Sequence, residues 1–255
     1  MHLQLTRGSV RLAATPARAH AAGVMTFSLL GRCARTGMTG GVMATSSIAA
    51  AARVMFGDPD LGVVFVQARS DPRLAPVGVA ALKSGATADA AVVAMAGAAG
   101  ADVGWRQLAV VDRHGAAAGY TGELCMAPKG EALGASCVAV GNAVASERVL
   151  TEMVAAFLRD PAAPLGDRLL DGLAAGIAAG GELYPLRSGG LLVYKPGIPF
   201  AWANLRVDCH EAPEAELRRI WKLWAPMADG YAQRTLDPAN APPAAALEGH
   251  PEPPR

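Results

Sequence analysis

The chain has 255 residues, of which 52% are hydrophobic and 18% charged, enough for a sizeable core in one large domain or two small ones. A net charge of +1 leaves no electrostatic case for nucleic acid or an anionic membrane surface as partner. The longest strictly apolar run, roughly 12 residues of mostly Ala and Gly over 90–101, falls short of the roughly 18–20 that a membrane span needs. The cysteines Cys33, Cys125, Cys137 and Cys209 form no C-x-x-C pair and no zinc-like spacing. They read as reduced thiols, and the expected location is cytoplasmic.

Taken in order, the chain opens on a segment with Arg7, Arg11 and Arg18, no acid and no periodic apolar pattern. Residues 1–25 are therefore expected to be a leader, disordered or absent from the mature protein. From Thr26 the text changes at once. Apolar and β-branched runs over 26–31 and 41–46, joined by a turn with Thr36-Gly37, form a hairpin pattern, and a third run follows over 61–67. The period then becomes helical from Pro72 to Gly85 and again over 88–98, where Thr87 is placed to cap. Strands return over 107–112, 116–120 and 136–142. Two helices follow over 147–158, with Ser146 as the expected cap, and 165–179, which Gly180-Gly181 ends. Strands over 189–194 and 203–208 precede an amphipathic helix over 214–224. The Pro- and Ala-rich 227–255 is expected to be a disordered tail.

Blocks of strands separated by helix pairs do not alternate as a parallel α/β fold does. The order fits an α+β class: one domain over 26–226 in which two antiparallel sheets face each other between helix layers, a four-layer αββα sandwich. An N-terminal strand residue then projects into the cleft between the sheets. If the chain is cut after Met25, or begins there and loses it, Thr26 carries a hydroxyl nucleophile and a free α-amine whose ordinary pKa is about 7.7–8.0, suited to take the hydroxyl proton. The alternative is that Thr26 is an ordinary strand residue.

Several stretches together resemble the DUF1028 family, assigned to the N-terminal nucleophile (Ntn) hydrolase superfamily. They are Thr26-Phe27-Ser28, Thr121-Gly122-Glu123-Leu124-Cys125, Gly141-Asn142, Ala179-Gly180-Gly181, Arg206-Val207-Asp208-Cys209-His210, and Glu214-Ala215-Glu216-Leu217-Arg218-Arg219. The resemblance implies the αββα sandwich and hydrolysis of an amide (C–N) bond in a small molecule or peptide, through an acyl-enzyme on Thr26. The stretches 47–53 and 187–190 depart from the family's usual residues, which bears on substrate identity more than on fold.

The catalytic candidates are Thr26 and three helpers. Ser28, two residues on and on the same face, either orients the amine or packs there. Asn142 is either an oxyanion donor or a turn residue in left-handed conformation. Asp208 either holds the α-ammonium or is a structural carboxylate at the last helix. Ser46, Gln67 and Thr121 are candidates to line the substrate cleft. No metal or organic cofactor is implied. Two tryptophans on one face of the last helix, Trp221 and Trp224, suggest a buried partner surface and hence a homo-oligomer. Two other readings stand beside the amidohydrolase: a catalytically silent ligand-binding protein on the same scaffold, if the leader stays attached, and a serine hydrolase using Ser46 or Ser47 with His210, for which no G-x-S-x-G elbow exists.

Overall fold

The computed structural model describes residues 25–250, so the expected leader lies outside the described residues except for Met25. The elements run β1 Thr26–Arg32, β2 Thr39–Thr45, α1 Ala51–Val54, β3 Met55–Asp58, β4 Gly62–Ala68, α2 Leu74–Lys83 and α3 Ala88–Ala99. After a 3-10 turn, Gly100–Trp105, come β5 Arg106–Asp112, β6 Ala117–Thr121, β7 Lys129–Gly134 and β8 Cys137–Asn142. Then follow α4 Arg148–Arg159, α5 Leu165–Ala178, β9 Ser188–Tyr194, β10 Ala203–Val207, α6 Pro213–Trp224, α7 Ala228–Leu236 and α8 Ala244–Glu248.

The strands form two sheets, β10-β9-β2-β1-β8-β7 and β3-β4-β5-β6. Every pairing in them is antiparallel. Period-two alternation decides what each face meets. Phe27 and Leu29 of β1, with Val42, Ala139 and Leu191, turn outward into a core shared with Met153, Phe157, Leu169 and Leu173 of α4 and α5 and with Leu217 and Trp221 of α6. Leu30, Met43, Val138 and Val140 turn the other way and meet Val63, Phe65, Ala109 and Val111 of the second sheet. The outer face of that sheet, through Val64, Val66, Leu108 and Val110, is covered by Leu74, Leu82, Val92 and Met95 of α2 and α3. The two sheets thus share one apolar interior, and helices cover both outer faces.

Close approach is built on small residues. A Cβ on Gly41 of β2 would stand 2.5 Å from Phe65 Cζ, so the ring of β4 lies directly over β2 backbone. On the other face a Cβ on Gly172 would meet Leu29 Cδ2 at 2.3 Å, which brings α5 down onto β1. The Thr87 cap expected from sequence is present, its hydroxyl accepting from Ala90 N at 3.3 Å. Ser146 does not cap α4 with its side chain; only its carbonyl takes part, accepting from Val149 N at 3.1 Å.

One expectation fails at the C-terminal end. The segment after residue 226 carries α7 and α8. Ala228 and Ala232 are buried, and Tyr231 stacks on Trp224 at 5.3 Å. Asp229 takes both Lys195 Nζ (2.6 Å) and Trp202 Nε1 (2.7 Å). Composition missed this because the contacts are made by alanines and single aromatics, not by a periodic aliphatic stripe. The tryptophans of α6 are covered by the chain itself: Trp221 packs edge-on against Trp202 at 6.0 Å and donates to Asp167 Oδ1 at 2.8 Å, and Trp224 donates to Trp202 O at 3.1 Å. Trp221 is thereby buried, while Trp224 stays part-exposed. No helix among the described residues is long and apolar enough to cross a membrane.

Since Phe65 is fully buried between the sheets against Gly41, Phe65→Ala should cost about 3–5 kcal/mol, measured by denaturant unfolding.

Candidate functional site

The shared interior is apolar along most of its length and polar at one end. Thr26, Ser28, Thr45, Asn142 and Ser188 of the first sheet and Gln67 and Gln107 of the second are all buried. Register brings them together. Thr26 stands opposite Asn142 across β1 and β8, Gln67 opposite Gln107 across β4 and β5, Gln107 opposite Thr121 across β5 and β6, and Thr45 opposite Ser188 across β2 and β9.

Buried amides must be hydrogen-bonded, and here they bond to one another. Gln67 Nε2 donates to Gln107 Oε1 (2.8 Å), Thr26 O (3.3 Å) and Val140 O (3.3 Å), while its Oε1 accepts from Ser28 Oγ. Asn142 Nδ2 donates to Gln107 Oε1 (2.9 Å) and Thr26 O (3.4 Å). Gln107 Nε2 donates to Gly141 O (2.8 Å), Thr121 Oγ1 (2.9 Å) and Gly130 O (3.3 Å), and Thr121 donates onward to Glu131. Each amide has one orientation that works, because the reverse would set carbonyl against carbonyl. The Thr26 carbonyl is held by two donors. Its hydroxyl donates to Thr45 Oγ1 at 3.4 Å, and the Thr45 hydroxyl donates in turn to Met25 O.

A carboxyl lies beside this corner. Glu182, between α5 and β9, is 7% exposed and accepts from Ser46 N with one oxygen; its other oxygen has no partner among the described residues. Burial pushes its pKa up to about 8, against the opposing hydrogen bonds from Ser46. In this state it is a neutral acid at pH 7.

The structure therefore brings Thr26, Ser28, Gln67, Thr121 and Asn142 into one network and sets Ser46 at its margin through Glu182. It changes several roles. Ser28 donates its proton across the sheets to Gln67. Asn142 is no turn residue; the positive φ falls on Ala143, at 50°. Its two amide hydrogens are engaged by Gln107 and Thr26, which assigns it to holding Thr26 in place of an oxyanion. Asp208 follows the edge strand β10, three strands from β1, and its half-exposed side chain pairs with Arg206 at 3.6 Å. His210 Nδ1 accepts from Ala212 N at 3.0 Å at the start of α6, and no bond among the described residues joins it to Ser46 or Ser47. Thr45, Gln107 and Glu182 went unselected. Gln107 carried a readable signal, a carboxamide opening an otherwise apolar strand as Gln67 closes one; Glu182 read as a loop residue after two glycines.

Comparison with known proteins places this arrangement in a family. The pattern described as "Family of unknown function (DUF1028)" matches residues 26–217. The fold is similar to the crystal structure of protein SPO2555 from Silicibacter pomeroyi, a DUF1028 protein, with a TM-score of 0.71 and 31% identity, covering 78% of this chain and 88% of that one. No curated protein matches.

Gln107→Leu removes the centre of the network and strands Asn142, Gln67 and Gly141 O, so it should lower stability by about 2–3 kcal/mol in denaturant titration. Glu182 gives a pH signature. The folded chain keeps a proton that the unfolded chain releases near 4.5, so this contribution to stability is complete below about 4.5 and is lost as the pH rises through about 8. In the uncut chain the difference in Tm between wild type and Glu182→Gln should therefore move in the variant's favour from pH 5 to pH 8, measured by differential scanning calorimetry.

Proposed function

Since the chain belongs to the DUF1028 family, a family of unknown function, we propose that it is an amidohydrolase that cleaves a C–N bond of a small molecule or peptide, with Thr26 as N-terminal nucleophile on an Ntn-type αββα sandwich. One observation carries the reading. The hydroxyl of the first residue of the first strand sits buried at the polar end of the inter-sheet space, with its backbone carbonyl fixed by two side-chain amides. The covering of both outer faces by helices supports the sandwich.

In the uncut chain the Thr26 nitrogen belongs to a peptide bond and cannot act as a base, and Met25 and Thr26 are each only 1% exposed. Loss of residues 1–25 does both necessary things: it frees the amine and opens the hydroxyl. The amine then takes the hydroxyl proton as Oγ1 bonds to the substrate carbonyl carbon. The tetrahedral intermediate collapses with breakage of the C–N bond, and the ammonium proton goes to the leaving nitrogen. Water repeats the sequence on the threonyl ester: the amine takes its proton, the acid product forms, and Oγ1 leaves with the proton returned. Thr45 lies within reach to orient Oγ1, and Gln67 and Asn142 hold the residue from its carbonyl side. If the preceding residues stay attached, the base is missing and the scaffold is a ligand-binding protein.

Protein carrying only a C-terminal tag should give an intact mass and N-terminal sequence beginning at Thr26. Against a panel of small amides and peptides, Thr26→Ala should lose at least about 10³-fold in kcat while keeping its melting transition. A homogeneous chain starting at Met1, with no activity gained by a chain begun at Thr26, would sink the amidohydrolase reading in favour of the binding protein.

A further inference from the structure

Glu182 plays no part in the steps above, and the strand pairing shows where it lies. β1 runs between β2 and β8. Its register sets Phe27 opposite Ala44 on one side and Thr26 opposite Asn142 on the other. Continued past the strand end, that register brings Met25 level with Ser46 and with Ala143. Glu182 joins these two flanks. On the β8 side its backbone bridges Val144, and Leu183 N donates to Ala143 O at 3.2 Å. On the β2 side its carboxyl accepts from Ser46 N. The residue therefore crosses the line of β1 just beyond Thr26. Thr45 links it to the bond that must be cut, because the Thr45 hydroxyl donates to Met25 O and the very next amide donates to Glu182.

We propose that Glu182 is the positioning residue for the freed Thr26 amine, which donates to the carboxyl oxygen that has no partner among the described residues. The proposal rests on the reading of Thr26 as N-terminal nucleophile and adds the group that receives its nitrogen. The step balances without a further reactant. Hydrolysis of the Met25–Thr26 peptide takes one water, whose hydroxyl goes to the Met25 carbonyl carbon and whose hydrogen goes to the Thr26 nitrogen. The proton held by the Glu182 carboxyl then moves to the new amine, leaving a carboxylate beside an ammonium. Before cleavage the acid is neutral, so no unpaired carboxylate is buried at this position. The groups against it are Ser46 and the backbone of the Val144 segment, and it makes no ion pair among the described residues.

The test uses the chain produced to begin at Thr26 by removal of a cleavable fusion, with the threonine α-nitrogen labelled for an NMR titration. An adjacent carboxylate favours the ammonium, so the wild-type amine should titrate about one unit or more above the ordinary 7.7–8.0. Glu182→Gln, isosteric and uncharged, should return it to that range, and Glu182→Asp should keep part of the rise. With any substrate that is turned over, Glu182→Gln should move the acid limb of kcat down by about the same one unit and lower the plateau about tenfold, a profile that a packing role would not shift. An amine that titrates in the ordinary range in the wild type, or alike in wild type and Glu182→Gln, overturns the proposal even if amide hydrolysis is found. A shift that depends on Glu182 in a chain that hydrolyses no amide supports the placement and counts against the hydrolase reading alone.

Discussion

Gln107 uses the full capacity of its carboxamide at the point where the two sheets meet around Thr26. Its oxygen accepts from Gln67 of its own sheet and from Asn142 of the other; its nitrogen donates to Thr121, Gly141 O and Gly130 O. In an interior where an unpaired amide costs about 1–3 kcal/mol, such a group dictates the orientation of its neighbours. Gln67 must present its nitrogen to Gln107, which leaves its oxygen for Ser28. Asn142 must do the same, which brings its second hydrogen to Thr26 O. The position of Thr26 is thus the last term of a chain of obligatory donor–acceptor choices, anchored in the backbone of β5 and β8.

That rigidity sits beside a place where the structure is incomplete in hydrogen bonds. The network around Gln107 is satisfied throughout, and a satisfied polar layer specifies one register between sheets that would otherwise slide on apolar contacts. Beside Ser46 the buried Glu182 keeps an oxygen without a partner among the described residues. The contrast separates the two clusters by purpose. The amides hold a backbone in place, while the carboxyl accepts from Ser46 N, next to the Thr45 whose hydroxyl donates to Met25 O.

The two tryptophans of α6 show how a surface feature read in one dimension changes meaning in three. On a helical wheel they form an apolar face in want of cover. In the fold Trp202 from the loop before β10 and Tyr231 from α7 supply that cover, with Asp167 and Asp229 taking the indole hydrogens of Trp221 and Trp202. Of the helices after residue 226, α7 joins this aromatic cluster through Tyr231, and α8 returns to α7 through the bond from Tyr231 to Glu248.

The sequence alone determined the kinds of element and their faces. The apolar, β-branched run over 26–31 and the fourfold spacing of Leu165, Leu169, Leu173 and Ile177 are local signals, and Thr87 capped α3 because its partner is three residues away. It also marked Thr26 as the start of ordered structure and Gln67, Thr121 and Asn142 as polar strand ends. It missed β3 and β7, a four-residue strand at a sheet edge and one carrying Lys129 and Glu131, because edges need no apolar run. Only the tertiary structure decided which polar ends meet. Asp208 was selected from the sequence and Glu182 was not, yet strand order sends the first to the end of β10 with Arg206 and the loop after α5 brings the second against Val144 and Ser46. Period tells which way a side chain faces; its neighbours across the interior are set by strand order and register, which long-range pairing alone supplies.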